Sequence, residues 1–296
     1  MAHLPPGGPR KVAAPVSEHS FLAAPRAAGI PLSFQRDGFV TPDSIRQTKR
    51  LLIGIEGESD TGKTEFSMSS PGPGLGICLD RGIDGALNND SPPAARHNNW
   101  AFKIVQAPLP TQAVQRAYLD YWQEFYKWYK MALENADSRT VLVDGDSDSW
   151  ELQKLAEFGK LTQIPPIMYT NVNAARRAMY ARAWDSGKIV IFTNKVKAEY
   201  IDEMDKNGNP VMGNDGKPKR VKSGELERQG FPDQDYLFHI QLRALYNSDE
   251  QQWGIRIMKC KNNRSLIGQE LWGDECNFAG LVQTVYPDVP LEKWGL

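Results

Sequence analysis

Residues Gly57-Glu58-Ser59-Asp60-Thr61-Gly62-Lys63-Thr64 match G-x-x-x-x-G-K-[ST] and follow directly on the apolar run Leu51 to Glu56. A glycine-rich turn of this kind lets consecutive backbone N–H groups face inward and cradle phosphates. The helix-capable stretch Thr64 to Ser69 presents its positive end to the same charge. The spacing gives each member a place: the segment from Gly57 to Gly62 as cradle, Lys63 toward the β and γ phosphates, and the Thr64 hydroxyl toward Mg²⁺. A strand, this loop and a helix in succession commit the chain to an α/β sheet.

The remaining pattern agrees. Further strands are predicted at Leu75 to Asp80, Phe102 to Gln106, Thr140 to Asp144 and Lys188 to Thr193. Val141-Leu142-Val143 and Ile189 to Phe192 are continuous apolar runs, as parallel strands covered on both faces require. A helix is predicted over Gln112 to Asn135, with seven aromatics between Tyr118 and Tyr129. At helical spacing Val114, Tyr118, Trp122, Phe125 and Tyr129 form one packing face for the core or a subunit contact, rather than a base-stacking platform. Tyr236 to Leu245 and Gln252 to Lys259 read as an antiparallel strand pair at the sheet edge, joined by Asn247-Ser248-Asp249-Glu250. Between these blocks, Asn207-Gly208-Asn209-Pro210 and Gly213-Asn214-Asp215-Gly216 mark a protruding hairpin or loop over about 196–231. Residues 1–46 hold 7 of the 20 prolines and 7 alanines without apolar periodicity, and are expected to form a flexible arm ahead of a domain over 47–296.

A phosphate-binding loop needs an acid at a neighbouring strand end to complete a Mg²⁺ shell. Asp144, after three buried aliphatics, is that candidate. Asp146 or Asp148 suits the cap of a helix beginning near Trp150. Guanine reading is disfavoured. Thr193-Asn194-Lys195-Val196-Lys197 puts a lysine where the N-K-x-D pattern has its carboxylate, and Asp144-Gly145-Asp146-Ser147 lacks the glycine of D-x-x-G. ATP is therefore the expected nucleotide, with Mg²⁺.

In this order of features the chain resembles a RecA-type ATPase core, and more narrowly the phage-encoded RecA-like ATPases that include one class of single-strand annealing proteins. The resemblance runs from about Arg50 to Gly268 and is strongest in the phosphate loop and in Val141-Leu142-Val143-Asp144. It implies an α/β fold with a mainly parallel sheet flanked by helices and an antiparallel C-terminal strand pair. It also implies a γ-phosphate sensor at Asn194 or Thr193, and DNA-facing segments at Gly159 to Thr170 and Val196 to Arg228. Within the second, Lys217, Lys219, Arg220 and Lys222 suit sequence-independent contact with single-stranded DNA. Their alternative reading is a lysine-guarded hairpin edge. Lys259-Cys260-Lys261-Asn262-Asn263-Arg264 resembles, with one extra asparagine, the K-N-R signature that projects a cation into a neighbouring subunit's site. Lys259, Lys261 and Arg264 all stay open as that finger, and a homo-oligomer is implied. Where relatives carry a catalytic glutamate after the second strand, this chain offers Asp80 or Asp84. Asp80 stands at the strand end, and slow or absent hydrolysis stays open.

Composition removes other classes. With 35 Lys+Arg against 36 Asp+Glu the formal charge is −1, so the chain is no basic nucleic-acid coat. Its apolar runs fall far short of the roughly 20 residues that cross a bilayer. Three cysteines without a C-x-x-C pair, and four scattered histidines, argue for a reducing cytoplasm (the host's, if phage-encoded) and against a disulfide framework or zinc site. Two functions remain: an ATPase acting on single-stranded DNA in recombination, annealing or replication, and an ATP-dependent switch that loads or regulates a replication or single-strand-binding partner. A small-molecule kinase is weaker, since no arginine-rich lid precedes the late strands.

Overall fold

β1 (Leu51–Gly57) is buried at all seven positions and β4 (Thr140–Asp144) at all five. Strands without a polar face are covered on both sides. The computed structural model describes residues 50–79, 83, 99–106, 114–160 and 164–296. The expected arm over 1–46 lies outside them, as do Asp80 and Asp84.

After β1 come α1 (Lys63–Met68), β2 (Gly74–Cys78), β3 (Trp100–Ile104), α2 (Gln115–Glu134), β4, α3 (Asp146–Phe158) and α4 (Tyr169–Asp185). The chain continues through β5 (Ile189–Asp202), β6 (Arg220–Arg228), α5 (Gln234–Leu237), β7 (Ile240–Asn247), β8 (Gln252–Cys260), β9 (Glu270–Trp272), α6 (Phe278–Val285) and α7 (Leu291–Trp294). Among the described residues the sheet order is β3-β2-β4-β5-β1-β7-β8-β9, with β6 paired to β5. Strands β3 through β7 in that order are parallel, whereas β7–β8, β8–β9 and β5–β6 are antiparallel. The mainly parallel α/β sheet with an antiparallel C-terminal pair is thus present.

Alternation along the strands divides the core. Leu52, Val141, Val143, Val190 and Phe192 pack with the aromatics of α2 and α4 on one face. Leu51, Ile53, Ile55, Leu142 and Ile191 pack with Phe66 of α1 and Phe278, Leu281 and Val282 of α6 on the other. Along α2 the buried ridge is Tyr121, Phe125 and Tyr129, at i, i+4 and i+8. The hydroxyls of Tyr121 and Tyr129 donate to the carbonyls of Val105 at 2.7 Å and Met179 at 2.8 Å, so neither ring buries an unpaired oxygen. Tyr118 and Trp122 pack beside this ridge, but Val114 is the exposed N-cap and leaves the expected face.

Boundaries differ from expectation; β3 starts two residues earlier, at Trp100, and three further shifts bear on the site. α3 begins at Asp146, four residues before Trp150, because Gly145 adopts φ 95° and turns the chain sharply off β4. Tyr236 lies in α5 and is exposed; Phe238 and Ile240 instead carry the buried pattern into β7. β5 does not stop at Thr193 but runs unbroken to Asp202, and its outer half pairs with β6 to form the protruding hairpin.

Candidate nucleotide site

The loop after β1 leaves the sheet at Gly57 and enters α1 at Gly62, whose φ of 79° is left-handed. A side chain at Gly62 would also meet Trp253, with a Cβ 3.1 Å from the indole Cδ1. Both the torsion and the space call for glycine. Thr61 Oγ1 donates to the Glu58 carbonyl at 2.9 Å, and Lys63 Nζ donates to the same oxygen. The lysine is therefore folded back over the loop that its ammonium is expected to serve. α1 has only six residues, so the loop N–H groups matter more here than a summed helix dipole.

Thr64 Oγ1 donates to Asp144 Oδ2 at 3.1 Å, and Thr193 Oγ1 donates to Asp144 Oδ1 at 2.6 Å. The Gly145 N–H donates to Thr193 Oγ1 at 2.8 Å. The loop hydroxyl and the strand-end carboxylate thus meet across β5, which lies between β1 and β4. These are hard oxygen donors and fit Mg²⁺, which takes one or two carboxylates and completes its shell with water and substrate phosphate oxygens. Among the described residues no group of three or more His, Cys, Asp or Glu side chains could hold a metal by itself.

Thr193 and Asn194 were interchangeable as sensors in the sequence, but consecutive strand residues face opposite sides of a sheet. Thr193 reaches Asp144. Asn194 points to the other face, where Nδ2 donates to Asp146 Oδ2 at 3.4 Å and Oδ1 accepts from Gln234 Nε2 at 3.0 Å.

Asp146 is no helix cap: α3 has no side-chain cap bond, and Asp146 is wholly buried. Its Oδ1 lies 2.5 Å from Arg176 Nη2, and its Oδ2 accepts from Tyr180 Oη at 2.7 Å. Burial opposes the Arg176 charge, but Asp146 and Tyr180 outweigh it and raise the pKa; burial raises that of Tyr180. Asp148 instead pairs with Lys195 at 2.7 Å. Ser147, between them, accepts from the Lys195 N–H at 2.9 Å and donates to the Gln229 carbonyl, tying α3 to β5 and to the residue that follows β6. This polar layer had no sequence motif.

On the other side of the loop Arg243, on β7, holds the buried Glu56 through Nε at 2.9 Å and donates to the Leu226 carbonyl of β6 at 3.0 Å. Here a cleft of ≈ 870 Å³ opens, lined by the loop, Arg243, Tyr246, Trp253, Arg256, Glu270 and Trp272, with Val196 and Leu226 at its hairpin side. Sequence reasoning missed it; the local trace in the sequence is Trp253 near the start of an expected strand, and its exposure emerges only in the fold.

The expected DNA-facing cations lie on the hairpin. Lys219 pairs with Glu203 at 2.6 Å, Arg220 donates to the Tyr200 carbonyl, and Lys217 and Lys222 are exposed. In the other expected segment, Gly159 to Thr170, residues 161–163 lie outside the described set; Pro166–Met168 is a 3-10 turn.

Lys259 to Arg264, expected as an interface signature, lie at the end of the sheet away from the loop. β8 runs antiparallel to β7, so Cys260 pairs with Ile240 near the start of β1 rather than beside the loop. Lys259 Nζ donates to the Phe238 carbonyl at 3.2 Å and Lys261 Nζ to the Leu237 carbonyl at 3.3 Å; Arg264 is exposed on a 3-10 turn. Burial lowers the pKa of both lysines.

No protein-family model matches the sequence, and no curated protein matches it. Among solved structures the chain is similar to the crystal structure of the RadB recombinase, with 12% identity and a TM-score of 0.39; the match covers 75% of this chain and 86% of that one. The functional reading therefore stands on the chain's own side chains. Among the described residues no helix is long and apolar enough to cross a membrane.

Proposed function

We propose that this chain is a RecA-like Mg-ATPase that assembles as a homo-oligomer and acts on single-stranded DNA through its hairpin. The observation that carries the proposal is the contact of Thr64 with Asp144, whose other oxygen is held by Thr193. A phosphate-loop hydroxyl and a buried strand-end carboxylate share one position.

In this reading the N–H groups from Gly57 to Thr64 bind the phosphates, and Lys63 leaves the Glu58 carbonyl to neutralise the terminal ones. Mg²⁺, held by Thr64 and through Asp144, would offset negative charge on the β and γ oxygens. Thr193 holds the Asp144 carboxylate in register. Asp80 remains the proposed residue that orients the attacking water. Arg264 is the favoured finger in trans: it is exposed, whereas Lys259 and Lys261 are engaged with carbonyls, and all three stand at the end of the sheet away from their own loop.

The second reading, an ATP-dependent switch that regulates a replication partner without touching DNA, is favoured by the hairpin's own pairing. Lys197–Glu227 at 3.1 Å and Lys219–Glu203 at 2.6 Å already offset part of its charge. Such exposed pairs contribute only about 0–1 kcal/mol, so phosphate oxygens can replace them.

The test is the ATPase rate with and without single-stranded DNA at two salt concentrations, with binding recorded in the same samples. Salt-sensitive binding with stimulated turnover supports the first reading. Nucleotide binding without DNA association moves the assignment to the switch, and Mg-ATP binding undiminished in Lys63→Ala defeats both.

A further inference from the structure

We infer that the cleft beside the phosphate loop is the nucleobase site, with the base stacked on Trp253 and Tyr246 at its wall; this rests on the proposed nucleotide site. The sheet order supplies a direction. Asp144, on β4, stands two strands to one side of β1, and Trp253, on β8, stands two strands to the other. With strands about 4.8 Å apart, Trp253 stands on the order of 10 Å from β1, whose loop holds the phosphates, a distance comparable to the reach between a nucleotide's phosphates and its base. A nucleotide whose terminal phosphate lies toward Asp144 therefore carries its base over β7 and β8.

What waits there suits an aromatic ring. Tyr246 and Trp253 are cross-strand partners, so their side chains share a face of the strand pair, with centroids 5.9 Å apart. They are 47% and 42% exposed, so their ring faces are open to a ligand in the cleft beside the loop. Trp253 also abuts Gly62, so its indole adjoins the phosphate cradle directly. The cleft volume of ≈ 870 Å³ falls within the range of roughly 300–1,000 Å³ typical of small-molecule sites.

Three charged side chains of the wall, Glu270, Arg256 and Arg243, already have partners. Glu270 accepts from Arg256 Nε at 2.8 Å through one oxygen and from Trp272 Nε1 at 2.9 Å through the other, and Arg243 is committed to Glu56 and Leu226. The hydrogen bond from Arg256 holds the Glu270 carboxyl below its ordinary pKa. Around Trp253 and Tyr246 the cleft thus offers ring faces beside engaged polar groups, and stacking of that kind tolerates any base.

The experiment compares dissociation constants for Mg-ATP and inorganic tripolyphosphate in the full chain, in Trp253→Ala and in Trp253→Phe. Stacking on one aromatic ring converts to roughly a 5- to 150-fold change in affinity. Trp253→Ala is expected to lose that factor for Mg-ATP and keep its tripolyphosphate affinity, while Trp253→Phe retains most of both. Retained tripolyphosphate binding also shows that the loop is folded. Equal weakening of both ligands overturns the inference by making Trp253 a prop for the loop, and so does unchanged Mg-ATP binding in Trp253→Ala. If the unaltered chain binds neither ligand, the phosphate-site reading itself fails.

Discussion

Thr64 and Asp144 are 80 positions apart in the chain, yet the threonine hydroxyl donates to the carboxylate at 3.1 Å. Asp144→Asn keeps the side-chain shape but turns one of its two acceptors into a donor facing the hydroxyl of Thr64 or Thr193. Groups that orient a metal site typically change its affinity by about 10–100-fold. Titrating Mg²⁺ against ATPase rate should show a loss of that size, with metal-free nucleotide binding largely preserved; an unaltered titration would remove Asp144 from the site.

Arg176 is wholly buried and shares its guanidinium among Asp146, Ser149 and Tyr180. Arg176→Met strands the Asp146 carboxylate, and breaking a buried pair from one side costs about 3–5 kcal/mol. The urea midpoint should fall accordingly, and Arg176→Met combined with Asp146→Leu should recover part of the loss. Equal midpoints for Arg176→Met and the parent would make the pair energetically idle.

The parts of this molecule governed by neighbouring residues were readable in its sequence. The loop from Gly57 to Thr64 and the run into Asp144 announce themselves within a few positions, and the β7–β8 pair within the two short strands and the turn between them. What escaped depends on contacts distant along the chain. Asp146 reads as a cap because its partner is thirty residues away on α4. The choice between Thr193 and Asn194 needs the facing of β5 against β4, and Tyr236 reads as strand because α5 is a single turn. Nothing local to Trp253 says that Gly62 lies against it; that follows from the antiparallel return of β8 beside β7, which itself pairs with β1.

His239 gives a pH dependence. The Leu52 N–H donates to its Nδ1 at 2.9 Å, and Trp184 stacks on its ring at 4.1 Å. Burial, then the charges of Lys261, Arg50 and Lys259, push its pKa from 6.5 down to about 4. Between those values the unfolded chain binds more protons than the folded one. This contribution is complete above pH 6.5 and is lost as pH falls through about 4. Solvent screening at a half-buried ring limits it to about 1–2 kcal/mol. Urea midpoints over this window should fall less steeply in His239→Asn, which keeps an acceptor for Leu52 but does not titrate; parallel curves would show that His239 is not the group responsible.

On the hairpin, Lys217 and Lys222 are exposed whereas Lys219 and Arg220 are engaged. Reversing the first two with Lys217→Glu and Lys222→Glu should weaken single-strand binding and flatten its logarithmic salt dependence by about 0.7 for each phosphate no longer neutralised. Fluorescence anisotropy over a salt series reads both. A slope and affinity equal to the parent's would take the hairpin out of DNA binding.

Arg264 and Lys63 lie at opposite ends of the sheet, so within one chain the arginine does not serve its own phosphate loop. If it serves a neighbour's, each active site consists of one chain's loop and another chain's arginine. Arg264→Ala should then lower turnover by about 10³-fold or more while leaving Mg-ATP binding nearly unchanged, the magnitude expected for a cation supplied in trans. Lys63→Ala should be inactive for a different reason. Mixing the two variants makes interfaces at which an intact Lys63 from one chain faces an intact Arg264 from the other, and part of the lost activity should return as the proportions approach equality. Turnover in the mixture no greater than the sum of the separate variants, with mixed oligomers shown to form, would place the arginine outside the reaction.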